Sequence, residues 1–316
     1  MKTQNLLKFV ARFAIVHLLV HSVFAFVFVA IQNSLPEANR VALDLYEPYR
    51  SVGLVSYLGQ LLRGIAFALV FFPFYTILFE RNIGKIVLFS SMFGIALIGS
   101  VEPQPGSIEG IIYTLISFSE HAFVITTVAL QMLVFVWLVF KVERKFSTQA
   151  LRKEGKLVSF KATKGYLTRF VVVHLVTYWV VGSIFYQVAG YADALDSMEI
   201  FELWRPLENL PAVLLVFFGQ IFRGAFLGIL LYPFYELYIQ KRNGWLLLFL
   251  LFIGLTALGS PIFLTEFIVF EGTFIEFLKE LIIGIPEIVS QMLIFSVLFF
   301  LWQRKAYKKN ISKETI

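Results

Sequence analysis

The chain has 316 residues, 59% of them hydrophobic and 15% charged, with a mean hydropathy of +0.79. A soluble domain has about 45–50% apolar and about 25% charged residues, so this composition excludes a soluble enzyme and predicts an all-α integral membrane protein. Cysteine is absent, which excludes disulfides, thiolate metal sites and a cysteine nucleophile. The net charge of +6 does not point to nucleic acid, because residues 141–168 alone hold eight Lys/Arg against two Glu.

Crossing roughly 30 Å of hydrocarbon takes about 20 apolar residues in a helix. Eight runs approach that length, at roughly 9–31, 53–79, 85–101, 112–140, 167–189, 211–239, 245–263 and 281–302. The third is short, and the fourth is long enough to include an interfacial turn at its start. The runs are continuous and do not alternate, which predicts helices and not barrel strands.

The second half of the chain repeats the first, about 160 residues later. Gly59-Gln60-Leu61-Leu62-Arg63-Gly64 returns as Gly219-Gln220-Ile221-Phe222-Arg223-Gly224, and Pro73-Phe74-Tyr75 as Pro233-Phe234-Tyr235. Gln131-Met132-Leu133 returns as Gln291-Met292-Leu293, and Arg12-Phe13 with His17 as Arg169-Phe170 with His174. A fixed-period repeat is an architectural signal. It predicts transmembrane repeats at 1–146 and 165–316, of four helices each, joined by a basic linker at 147–164. Four spans per copy is an even number, so the copies are expected to face the same way, as parallel repeats. Of the 27 Lys/Arg, 21 fall on the side that holds both termini and the linker, which predicts cytoplasmic termini in the cell membrane. The repeat also argues that the first span is retained and is not a cleaved signal peptide, since its counterpart near 167–189 is internal.

Charged groups inside a span cost roughly 2.5–3.5 kcal/mol each on insertion scales, so each needs a reason. Arg63 lies about 25 Å before Glu80 at 1.5 Å per residue, and Glu120 about 31 Å before Lys141, which sets both toward the outer leaflet. Arg223 and Glu280 hold the same places in the second copy, and pairing within each copy is the expected arrangement. Gln60 and Gln220 sit one turn from the arginines. Pro73 and Pro233 remove a helical donor and predict kinks. Glu120, Thr127 and Gln131 share one helix face, as do Glu280, Glu287 and Gln291. Glu287 faces no charged counterpart in the first copy, and a carboxyl left over at that depth is the proton-coupling candidate.

The bland alternatives are that Arg–Glu pairs lock helices together and that Gln131 and Gln291 make interhelical hydrogen bonds. His17 and His21 stand at i, i+4, but Tyr178 replaces His21 in the second copy, so no metal site is expected. His121 lacks a counterpart and is expected at the interface. No P-loop, Rossmann glycine pattern, HExxH or GxSxG is present, and neither a cofactor nor catalysis is expected. The reading these residues support is a secondary transporter or permease for an anionic solute or lipid headgroup, with an outward-facing polar cavity between the repeats. Gln60, Arg63, Gln220, Arg223, Glu120 and Glu280 are its expected binding residues. Membrane lipids are the expected partners. The alternatives are a non-catalytic scaffold and, with less support, a lipid-modifying enzyme.

Overall fold

The structure is a computed structural model that describes residues 5–36, 40, 53–146, 165–189, 191, 203–206, 210–257 and 274–314. The side chains of 53–56, 274–283 and 310–314 lie outside that description, as does the linker at 147–164. The described residues are helical, with no strands among them. Six helices are long and apolar enough to cross a membrane: Leu6–Ser34, Tyr57–Phe79, Phe118–Phe146, Tyr166–Val188, Leu210–Ile239 and Gly284–Lys309.

Among the described residues, two of the eight expected spans fall short of that length. The third runs over Gly84–Ile98 and the seventh over Gly244–Thr256. At 1.5 Å per residue an α-helix of either described length covers about 20–22 Å, less than the hydrocarbon thickness, and the π-helical part of the first makes it shorter still. The third run overstated its helix because the chain leaves the helix axis near Gly99; of the seventh run, residues 258–263 lie outside the described part. The fourth run also divides, into a short helix ending at Tyr113 and a long one starting at Phe118.

The chain forms two compact units. The first comprises Met1–Ile111, Leu115–Glu154 and Gly254–Phe270. Its helix α1 (Leu6–Ser34) starts at Asn5, whose side chain accepts the Lys8 N–H at 3.3 Å and so satisfies one of the orphan donors at a helix start. α1 packs on α2 (Gly53–Phe71) and on α6 (Phe118–Phe146). At Pro73 the α-helical pattern gives way to a 3₁₀ turn, Phe72–Phe74, before α3 (Tyr75–Phe79). A proline has no N–H to offer the ladder, and a tighter turn absorbs the loss. After a turn at Gly84 come α4 (Gly84–Phe89) and a π-helical stretch, Ser90–Ile98. α5 (Ile108–Tyr113) and α6 complete the order.

Lipid tails are as apolar as leucine, so close fit and not the hydrophobic effect must hold such helices together. Phenylalanine supplies that fit. Phe13 of α1 meets Phe135 of α6 edge-on at 5.0 Å, and Phe9 meets Tyr75 and Phe79 edge-on at 5.4 and 5.6 Å. A methyl on Gly64 of α2 would lie 2.9 Å from the Ala14 Cα, so the two backbones touch there.

The second unit comprises Ile112–Thr114, Gly155–Ile253 and Glu271–Ile316. α7 (Tyr166–Val188) packs on α8 (Leu210–Leu231) and on α11 (Phe274–Glu314). α8 gives way at Pro233 to a 3₁₀ turn, Tyr232–Phe234, followed by α9 (Tyr235–Ile239) and α10 (Gly244–Thr256). α11 is 41 residues long with Pro286 inside it, and extends well past both ends of the expected span. Phe170 of α7 meets Phe295 of α11 edge-on at 4.8 Å, and Tyr166 meets Tyr235 edge-on at 5.4 Å. Gly224 stands against the His174 ring, where a methyl would lie 2.8 Å from Cδ2.

Candidate functional site

In the first unit, polar side chains from three helices converge inside the phenylalanine packing. α1 brings His17 and His21, α2 brings Gln60 and Arg63, and α6 brings Gln131. His17 reaches the backbone carbonyl of Gln60 with Nδ1 at 3.2 Å, and is 3% exposed. Gly64 makes this approach possible, since a side chain there would meet His17 Cβ at 3.2 Å. The His17 ring is flanked by Phe67 and Phe135 at 5.9 and 5.8 Å. Arg63 Nη1 donates toward Gln60 Oε1 over a long 3.5 Å, and the Gln131 amide lies 3.5 Å from His21 Nδ1.

The second unit carries a matching layer. His174 Nε2 lies 3.2 Å from Gln220 Oε1, and its ring meets Phe295 edge-on at 6.3 Å. Gln220 and Arg223 are buried at 0% and 2% exposure. Gln291 donates its amide to the Tyr178 carbonyl at 3.4 Å. Gly224 has the place opposite His174 that Gly64 has opposite His17.

Glu287 belongs to this unit. Its Oε2 accepts a short hydrogen bond from the Tyr191 hydroxyl, and its Oε1 faces Gly182, where a methyl would lie 3.3 Å away. Tyr191 lies outside the spanning helices. Burial first, and then the Glu287 carboxylate, raise the pKa of its phenol, which holds the hydroxyl as a donor.

Glu120 was expected to face Arg63. It stands at the start of α6, where the Ser117 hydroxyl accepts the Glu120 N–H at 3.2 Å and lies 3.5 Å from Glu120 Oε2. Ser-x-x-Glu at a helix start is a capping-box spacing, so a local structural role competes with the binding role. Glu280 falls on α11 with its side chain outside the described residues. His121, expected at the interface, is 4% exposed and accepts the Gly106 N–H on Nδ1 at 2.9 Å. Gly106 has φ +87°, a conformation that leaves its N–H pointing away from any regular ladder, and the imidazole satisfies it.

One group of residues escaped the sequence reading. Near the start of α1, Arg12 binds Glu143 of α6 through Nε–Oε1 at 2.6 Å and Nη2–Oε2 at 3.0 Å, and Tyr75 of α3 donates to Oε2 at 3.1 Å. In the second unit Arg169 Nε donates to Gln303 Oε1 at 2.6 Å, and Gln303 donates to the Tyr235 hydroxyl at 2.9 Å. Glu143 lies among basic residues that precede the linker, Lys141, Arg144 and Lys145. The register of Gln131 and Gln291, carried twelve residues on, pairs Glu143 with Gln303.

Guanidinium, amide and imidazole groups together offer several donors to an anionic oxygen, and an arginine fork matches carboxylate or phosphate. Among the described residues no three His, Asp or Glu side chains gather in a way that would hold a metal ion. The chain matches no protein-family model, no curated protein and no solved structure.

Proposed function

We propose that the protein is a multi-pass carrier of the cell membrane, with both termini cytoplasmic and the two units derived from parallel repeats, that handles a small anionic solute or an anionic lipid headgroup. The observation that carries this reading is the recurrence of one polar layer, Arg63 with Gln60 and His17 in the first unit, and Arg223 with Gln220 and His174 in the second. A merely greasy helix has no use for an arginine at that depth, and intramembrane ionisable groups mark ligand and ion pathways by default. Arg63 and Arg223 bind the anionic group, Gln60 and Gln220 assist, and Glu287 carries a coupling proton. Glu120 and Glu280 set the local charge. No catalytic step is assigned to any of them.

The second reading is a non-catalytic scaffold, favoured by the two-bond Arg12–Glu143 pair with its Tyr75 donor, which locks three helices. Thermal melting of the purified protein in nanodiscs separates the two. A ligand at a hundred times its dissociation constant stabilises by about 2.7 kcal/mol. Inorganic phosphate, acetate or phosphatidylglycerol is expected to raise the melting temperature of the native chain. Arg63→Ala with Arg223→Ala is expected to fold and to lose that rise. A double variant that fails to accumulate in the membrane supports the scaffold, and one that keeps the full rise removes the arginines from any binding role.

A further inference from the structure

Each unit contains a piece of the opposite half of the chain. Residues 254–257, the last turn of α10 and the residue after it, follow the linker in sequence but belong to the first unit. Gly254 is pressed against α2, where a methyl on it would lie 2.2 Å from Val70 Cγ2 and 3.2 Å from Val70 Cβ. The Thr256 carbonyl, an orphan acceptor at the end of its helix, takes the Val101 N–H at 3.2 Å and the Ser100 hydroxyl at 3.3 Å. Thr256 and Ser100 are both fully buried. The reverse piece is Ile112–Thr114, which precedes the linker and belongs to the second unit. Ile112 fills the space beside Gly219 of α8, with Cγ1 2.7 Å from where a methyl on that glycine would lie. Thr114 pairs with Trp204 in an antiparallel bridge, and Arg205 donates its N–H to the Tyr113 carbonyl at 2.6 Å and its guanidinium to the Thr114 carbonyl at 3.1 Å. The Tyr113 hydroxyl is hydrogen-bonded to that of Tyr178 on α7, and all three residues of the piece are buried.

We infer that the two halves of the chain are each other's binding partners: each donates a segment that completes the other's unit, and the linker is not what holds them together. Withdrawing residues 254–257 takes the Ser100 and Val101 donors off their common acceptor, and a buried donor without an acceptor is costly. Withdrawing Ile112–Thr114 empties the space beside Gly219 and leaves a void in the packing. A half-chain alone therefore has a gap it cannot fill and a buried segment with nowhere to go. The two pieces are not counterparts under the offset of about 160 residues, so the fit is between unlike halves and not between two copies of one half. This pairing involves no ligand, and it stands with either reading of function given above.

The test uses the full chain with a specific protease site placed in the linker and an affinity tag at the C-terminus. Purified in detergent and cleaved, the native sequence is expected to keep its N-terminal fragment on the tag resin and to melt as the uncleaved chain does. Release of that fragment overturns the proposal. Cross-linking then shows whether the exchanged segments are the contact, and the absence of cysteine from the chain keeps the background clear. A disulfide joins Cβ atoms about 3.5–4.5 Å apart. Val70 and Gly254 come close to that spacing, and Ile112 Cβ, one bond beyond Cγ1, falls within reach of Gly219. Val70→Cys with Gly254→Cys, and separately Ile112→Cys with Gly219→Cys, are oxidised in the membrane before cleavage. Each double variant is expected to run at full-chain mass without reductant and as two fragments with it, while each single-thiol variant runs as two fragments in both. Fragments that stay together although neither pair of thiols links overturn the exchange, and linking by one pair alone overturns its reciprocity.

Discussion

Arg12 and Glu143 form a two-bond ion pair that the described part of the first unit holds almost out of solvent, Glu143 being 2% exposed. The same place in the second unit is held by Arg169 and Gln303, where a neutral amide does the work of the carboxylate by donating on to Tyr235 as well as accepting from the arginine. The two arrangements show that geometry at this site tolerates either a charge or an amide.

This predicts an asymmetry among substitutions. Glu143→Ala leaves buried donors without their acceptor and is expected to cost about 1–3 kcal/mol. Glu143→Gln imitates the second unit and is expected to cost less than half of that. Thermal melts in one detergent check both, and an equal loss for the two variants refutes the equivalence.

Gly84 and Gly244 are expected to be irreplaceable. A Cβ at either would lie 1.7 Å from a backbone carbonyl oxygen, that of Leu78 or Tyr238, which cannot move away as a side chain can. Gly84→Ala and Gly244→Ala should therefore each cost more than about 2 kcal/mol, in the range of backbone strain. Among the described residues nothing lies within 4 Å of a methyl on Gly284, so Gly284→Ala should be neutral or stabilising by up to about 1 kcal/mol through helix propensity. Membrane abundance and melting temperature of the three variants give the answer.

His121→Ala should cost about 1–3 kcal/mol, because the buried Gly106 N–H loses its acceptor. His121→Asn, which retains an acceptor on a shorter side chain, should recover part of the loss. If both variants melt with the native protein, the imidazole is not what satisfies Gly106.

Tyr191 supplies a pH prediction. Its folded pKa is raised above the unfolded value of 10.0 by burial and by Glu287. The stability it contributes is therefore fully present below about pH 10 and is lost as pH rises toward the folded value. Tyr191→Phe should lower the melting temperature by the same amount at pH 6 and pH 9. Phenolate absorbance titrated up to pH 10 should match between native and variant chains. A Tyr191 phenolate appearing within that range overturns the assignment.

Much of the fold could be read from the sequence because span length and hydrophobicity are strong, local signals. Six helices long and apolar enough to cross a membrane lie where the apolar runs put them, and Pro73 and Pro233 mark helix interruptions. The third run already read as short, but the point where its chain turns off the helix axis did not, since composition says how greasy a run is and not where it bends. The close approach of His17 to Gln60 was foreshadowed by Gly64. The Arg12–Glu143–Tyr75 group was not, because Glu143 sits among basic residues whose charges looked like a solvated linker. The bond from Gly106 to His121 was not legible either, because a backbone donor leaves no mark in a sequence.

Gly64 has a mechanical consequence. Where two helices meet backbone to backbone there is no side chain between them to slide, tilt or change rotamer. Within the first unit α1 and α2 therefore act as one stave, and bending has to be taken up beyond it, at the 3₁₀ turn of Phe72–Phe74. In the second unit an imidazole stands between the same two helices, so α7 and α8 keep a joint that α1 and α2 lack. A substitution that fills Gly64 would loosen the stave.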